Sequence, residues 1–184
     1  MSNVSLKEWL ELERRELLLA VKSAIRDHVT TLRSAHSDIY GFALLPGDSY
    51  EVKTLVVAWN RTRDLKQDKA YYRYAVDEWL HWDHDALAGI TPLIEGLNEQ
   101  FSKLHQKSTD DFIMDDFELA HIQSYFDTFL RALHELKDEG VFAFRNVEPY
   151  LLIWISDSGH EIIHRSVEEL NSVQTVREFK SEFT

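Results

Sequence analysis

The 184-residue chain contains no cysteine. That excludes disulfides, thiolate zinc sites and cysteine nucleophiles, and it suits a reducing cytoplasm, the compartment expected here. No apolar run approaches the roughly 20 residues needed to cross a bilayer. The opening Met1-Ser2-Asn3-Val4-Ser5 lacks the charged and apolar regions of a signal peptide. The six glycines form no phosphate-cradling loop, and no G-x-S-x-G elbow occurs. Positive charge is also scarce: 20 basic against 32 acidic residues give a net charge of −12. That balance repels nucleic-acid phosphates and anionic membranes and attracts a basic protein. With no repeat, low-complexity tract or linker, residues 1–184 read as a single domain able to bury a proper core.

Hydrophobic period and punctuation predict the elements. Ser5 and Glu8 stand at capping-box spacing before a long helix reaching about residue 34, whose apolar stripe includes Leu10, Leu17, Val21, Ile25, Val29 and Leu32. Strands are expected at 39–45 and 52–59, joined through the turn Pro46-Gly47-Asp48-Ser49, with a third extended segment over Tyr71–Val76. Thr91-Pro92 opens a helix, and another runs from near Thr109-Asp110-Asp111 to just before Gly140. A short Val141–Phe144 stretch, a hairpin beginning at Tyr150 and a final helix over about 173–183 close the chain. The fold class is therefore α+β, a mainly antiparallel sheet flanked by long helices.

His160-Glu161-Ile162-Ile163-His164 is the one segment that spells a catalytic motif. On a helix, H-E-x-x-H sets two imidazoles one turn apart to share a zinc ion, with the Glu as general base. On a strand the rings stand about 13 Å apart, at about 3.3 Å per residue, too far for nitrogen ligands at about 2.1 Å. Ser158 and Glu161 at capping-box spacing, with Ile163, Val167 and Leu170 recurring at helical intervals, speak for the helix. The run Tyr150–Ile155, the turn residues Asp157-Ser158-Gly159 and the β-branched pair Ile162-Ile163 speak for a hairpin, with a helix starting only near Ser166. The hairpin is the expected form. The extended protease signature would also need Gly at Val167 and His at Leu170. No catalytic residue, metal ligand or cofactor is assigned; His160 and His164 are ligands only in the alternative zinc-hydrolase reading.

Asp77-Glu78-Trp79-Leu80-His81-Trp82-Asp83-His84-Asp85 is the most unusual local composition. Tryptophans anchor interfaces and carboxylates steer a basic partner, so Asp77, Glu78, Trp79, Trp82, Asp83 and Asp85 form a candidate partner-binding set. The ordinary alternative is a helical turn with both tryptophans in the core; two histidines among carboxylates also admit a metal. His121 and His134 are expected at the edge of their helix's apolar face.

Three segments carry a family resemblance: Tyr40–Leu44 followed by Leu55–Trp59; Tyr72–Trp79; and Ile153–Asp157 with Arg165–Asn171. In this order they resemble a mainly bacterial family catalogued as domain of unknown function 4303. The resemblance implies an α+β protein with no established catalytic residues, and would make the third segment strand, turn and strand. Families of this kind often supply immunity proteins beside bacterial toxins, an analogy rather than an activity. The expectation is a non-enzymatic, cytoplasmic binding protein, an immunity protein occluding a basic toxin, with the zinc hydrolase as the alternative.

Overall fold

The computed structural model describes residues 5–67, 69–105, 114–144 and 148–183. Ser5 and Glu8 form the expected capping box on α1, Leu6–Glu11, with the Ser5 N–H donating to Glu8 Oε2 at 2.9 Å. The helix does not run on to residue 34: the chain breaks over residues 12–14, and α2 begins afresh as Arg15–Ala35. Nothing in Leu12-Glu13-Arg14 forbids helix, so tertiary contacts override propensity. The break lets α1 fold back so that Trp9 is buried beside Phe101 and His121, its indole N–H bonded to Gln100. The predicted α2 stripe Leu17, Val21, Ile25, Val29 and Leu32 is buried.

β1, Ile39–Gly47, is buried at every residue except the last, and pairs antiparallel with β2, Val52–Arg61. Gly47 takes φ +100°, and the Asp48 carboxylate accepts the Tyr50 and Glu51 N–H groups at 2.7 Å each, making the turn the sequence predicts. The third expected strand, Tyr71–Val76, is instead a short helix, α3, Ala70–Tyr74. Its tyrosines pack on the C-terminal helix rather than alternating across a sheet: Tyr71 stacks on Phe183, and the buried Tyr74 hydroxyl bonds Glu178. The sheet's third strand is β3, His81–Asp83.

α4 spans Thr91–Leu104 with Pro92 in its first turn, as expected. α5, Asp116–Asp138, is opened by a capping box between Asp115 and Glu118; the predicted start near Thr109 lies outside the described residues. Gly140 (φ +74°) ends it in a Schellman motif, with Gly140 N–H donating to Lys137 O at 2.9 Å and Val141 N–H to Leu136 O at 3.0 Å. Residues 141–144 form no strand, but Phe142 and Phe144 are buried.

β4, Tyr150–Ile153, lies parallel to β1, giving the order β3-β2-β1-β4 with two antiparallel pairings and one parallel. The chain is thus one α+β fold with a mainly antiparallel sheet. The hairpin expected after β4 does not form. Asp157 turns the chain at φ +53°, and α6, Glu161–Leu170, follows with His160 as its N-cap. Ile162, Ile163, Ser166, Val167 and Leu170 are all buried on one helical face; a strand would have set Ile162 and Ile163 on opposite sides. A return strand would also have nowhere to pair. Asn171 accepts the Leu151 N–H at 2.8 Å and donates to Leu151 O at 2.7 Å, while Ser166 Oγ accepts the Ile153 N–H at 3.0 Å. Side chains from α6 and the residue after it thus close the outer edge of β4. α7, Val173–Phe183, ends the chain where expected. Among the described residues no helix is long and apolar enough to cross a membrane.

Replacing Asn171 with Leu leaves the buried Leu151 N–H and carbonyl without partners, a loss of about 2–3 kcal/mol. Urea unfolding of Asn171→Leu is expected to show that loss, with a change at the exposed neighbour, Val173→Ala, near wild type.

Candidate functional site

The acidic-aromatic segment divides between core and surface. Trp79 is buried, donates to Arg73 O at 3.1 Å, and lies so close over Gly41 that a Cβ there would stand 2.6 Å from its ring. It therefore pins the segment to the sheet and is not available as a contact. Trp82 is half-buried against the core and donates its indole N–H to Trp79 O at 3.2 Å. Asp77 and Asp85 are exposed, and Leu80 between them is 57% exposed. Glu78 pairs with Lys66 at 2.6 Å, and Asp83 accepts the Ala86 N–H at 3.0 Å. His81 stacks on Trp59 with ring centres 4.0 Å apart and bonds Asp64 at 2.8 Å, while His84 stacks near Trp82. Of the six sequence candidates, Asp77 and Asp85 are exposed, Asp77 accepting from the Ser156 hydroxyl at 2.6 Å; Asp83 is part-exposed and stands 3.8 Å from His28, Glu78 is ion-paired, and the two tryptophans are buried or half-buried.

The H-E-x-x-H segment is helical from Glu161 onward, which removes the extended backbone expected to keep its imidazoles apart. A different feature separates them. His160 is the N-cap, with non-helical backbone (φ −59°, ψ 136°), and its Nδ1 accepts the Ile162 N–H at 3.2 Å. One ring nitrogen is thus spent on the helix end, and the ring lies edge-on to Phe126 of α5. The His164 ring instead meets Phe179 of α7. Among the described residues no three His, Asp or Glu side chains are grouped to hold a metal ion.

The site that sequence reasoning missed lies between α4, α5 and the β1–β2 turn. A cavity of about 370 Å³ has Asn98, Phe101, His121 and Tyr125 on its wall, together with the acidic residues Asp48, Glu51 and Glu118. The Asn98 amide donates to Val52 O at 2.9 Å, so its oxygen is the acceptor that meets His121 Nε2, also at 2.9 Å. His121 therefore carries its proton on Nε2 and leaves Nδ1 as a bare acceptor, buried and without a partner. Burial, with the Arg14 guanidinium nearby, pushes the His121 pKa down to about 4. Burial raises the Tyr125 phenol, whose hydroxyl lies 2.8 Å from Asn98 Oδ1. Arg14 completes the group: its guanidinium carbon stands 3.9 Å from the centre of the Trp9 ring, and that ring also packs on His121. No motif joins residues 9, 14, 98, 121 and 125; only the folded-back α1 assembles them. A roomier hollow of about 580 Å³ is lined by Arg33 and His36, both already engaged: Arg33 donates to Val141 O at 3.3 Å and His36 Nδ1 lies 3.2 Å from Arg61.

The family model described as "Domain of unknown function (DUF4303)" matches residues 21–172. Searches of curated proteins and of solved structures found no match.

Two outcomes follow from these geometries. His160→Ala is expected to cost about 1 kcal/mol by removing the cap, and His160→Asn to restore it; a zinc-ligating His160 would give instead a loss in both variants that chelator reproduces in wild type. His121 is neutral in the fold and has an ordinary value of 6.5 unfolded. Its contribution is therefore complete above pH 6.5 and is lost as pH falls toward about 4, at no more than about 1.4 kcal/mol per pH unit. Urea midpoints between pH 7 and 4.5 should fall more steeply for wild type than for His121→Gln, and equal slopes would refute the assignment.

Proposed function

Because the chain belongs to the DUF4303 family, which carries no assigned activity, function must come from its surfaces, and we propose a non-enzymatic, cytoplasmic binding protein. Its partner is a basic protein, and the most concrete form of the role is an immunity protein that occludes a toxin.

One observation carries the reading. The segment 77–85 runs along the β3 edge of the sheet, the edge that α6 does not close, and holds exposed Leu80 between the exposed carboxylates of Asp77 and Asp85. An exposed apolar side chain flanked along the chain by acids suits a basic partner: charge sets the approach and desolvation of the centre sets the lifetime. The net charge of −12 adds a long-range attraction of the same sign. Trp79 serves as the rivet beneath this face rather than as part of it, and Trp82 is half-covered.

The test is co-purification of the untagged chain from its host, followed by kinetics with the basic protein recovered. Asp77→Lys with Asp85→Lys should slow association roughly tenfold and remove most of its salt dependence, whereas Leu80→Ser should speed dissociation. Cells producing the basic protein should grow only when the chain is present. Unchanged rates in both variants would remove 77–85 as the contact, and growth unaffected by the chain would remove the immunity role.

A further inference from the structure

We infer that the cavity between α4, α5 and the β1–β2 turn binds an organic cation, a primary ammonium carried on an apolar stem. Among the described residues its wall holds three carboxylates, Asp48, Glu51 and Glu118, and no lysine or arginine. Asp48 gives one oxygen, Oδ1, to the turn N–H groups, and Glu51 gives one, Oε2, to Lys53 at 2.6 Å. Glu118 Oε2 accepts the Asp115 N–H at 2.9 Å. A carboxylate offers about four lone-pair sites, so Asp48 and Glu51 keep acceptor capacity for a further donor. A cleft lined by one sign of charge concentrates ions of the other sign.

His121 adds a neutral acceptor to the same wall. It is 6% exposed, and its Nδ1 is buried without a partner. Because Nε2–H is already given to Asn98, Nδ1 can only accept. An ammonium N–H supplies the donor this nitrogen lacks and removes the cost of a buried acceptor left unmade. Burial holds the ring uncharged down to about pH 4, so it does not repel a cation. Phe101 stacks on His121 with ring centres 4.3 Å apart, and Tyr125 stands edge-on to it at 5.0 Å. Those rings offer π-faces to the cation and apolar surface to its stem. Arg14 lies over the Trp9 ring and is not part of this wall. A metal ion does not fit, since among the described residues no three His, Asp or Glu side chains are grouped to hold one.

The ammonium belongs either to a free amine or to a lysine side chain, and the test separates the two. The whole protein is titrated by calorimetry, and its thermal unfolding followed, with phenethylamine and with Nα-acetyl-lysine methylamide. Phenethyl alcohol, phenylpropanoate and the N-trimethyl derivative of phenethylamine are the comparators. At least one of the two amines should bind and raise Tm with concentration; the tighter of them identifies the source. The alcohol and the carboxylate should do neither, and the trimethyl compound, which has no N–H for His121, should bind roughly tenfold more weakly. Asp48→Asn keeps an oxygen for the turn while removing the charge, and should weaken the amine by roughly tenfold. His121→Phe keeps a ring against Phe101 without the acceptor and should do the same. Asp138→Asn removes an equal charge outside the cavity, from a side chain 70% exposed, and should leave binding within about twofold. The inference is overturned if neither amine binds wild type, if any comparator matches the amines, if Asp48→Asn binds as wild type does, or if Asp138→Asn weakens binding equally. Should His121→Phe not fold, Asp48→Asn and the trimethyl compound decide.

Discussion

The strand Ile39–Pro46 is buried residue by residue, and that constraint governs the placement of everything around it. A strand with one wet face alternates; one buried throughout must be covered on both faces and paired on both edges. β2 takes one edge and β4 the other. Cover comes partly from places a local reading does not suggest. Phe142, in the irregular segment after α5, packs on Phe42, and Trp79 closes over Gly41. Gly41 is the one position of the strand where an indole can press against bare backbone, and any side chain there would lift the 77–85 segment off the sheet.

What the sequence made legible follows from how local each signal is. The capping box at Ser5, the Gly140 stop, the Pro92 start and the turn at Asp48 each involve groups within a few residues, and all four are found. The errors share a different cause. Residues 12–14 break a helix that their composition would continue, because burying Trp9 on Phe101 and His121 outweighs the helical bonds lost. Tyr71–Tyr74 looked like an alternating strand, but its rings are spent on α7, some hundred residues away. Residues 160–164 were ambiguous between strand and helix by period. The decision came from β4, whose outer edge is filled by Ser166 and Asn171 and cannot accept a return strand. Each miss turned on a distant partner.

The motif that drew most attention illustrates how a spacing can be satisfied without its geometry. H-E-x-x-H requires both imidazoles to ride on the same helical turn. Here the helix begins one residue too late: His160 is the cap, outside the turn, and its nitrogen serves the backbone of Ile162. The two rings then diverge to Phe126 and Phe179 on different helices. The letters are explained by helix capping and by packing, both of which act on single residues.

Charge behaves differently at the surface and in the core. On the outside, the exposed carboxylates of Asp77 and Asp85 act in high dielectric, where excess negative charge costs little. Inside, a single cation sits beside a histidine that burial keeps neutral, and there each unmatched charge is felt strongly. A chain with 32 acids could have supplied Arg14 with a partner at small cost, as it did for Arg61 with Asp64 and Arg165 with Asp127. Arg14 is left instead to the face of the Trp9 ring, where a cation–π contact stands in place of a counter-ion. The external face and this buried joint are then independent: the first depends on segment 77–85 and the rivet of Trp79, the second on the bend that sets Trp9 against Phe101 and His121 with Arg14 over its ring.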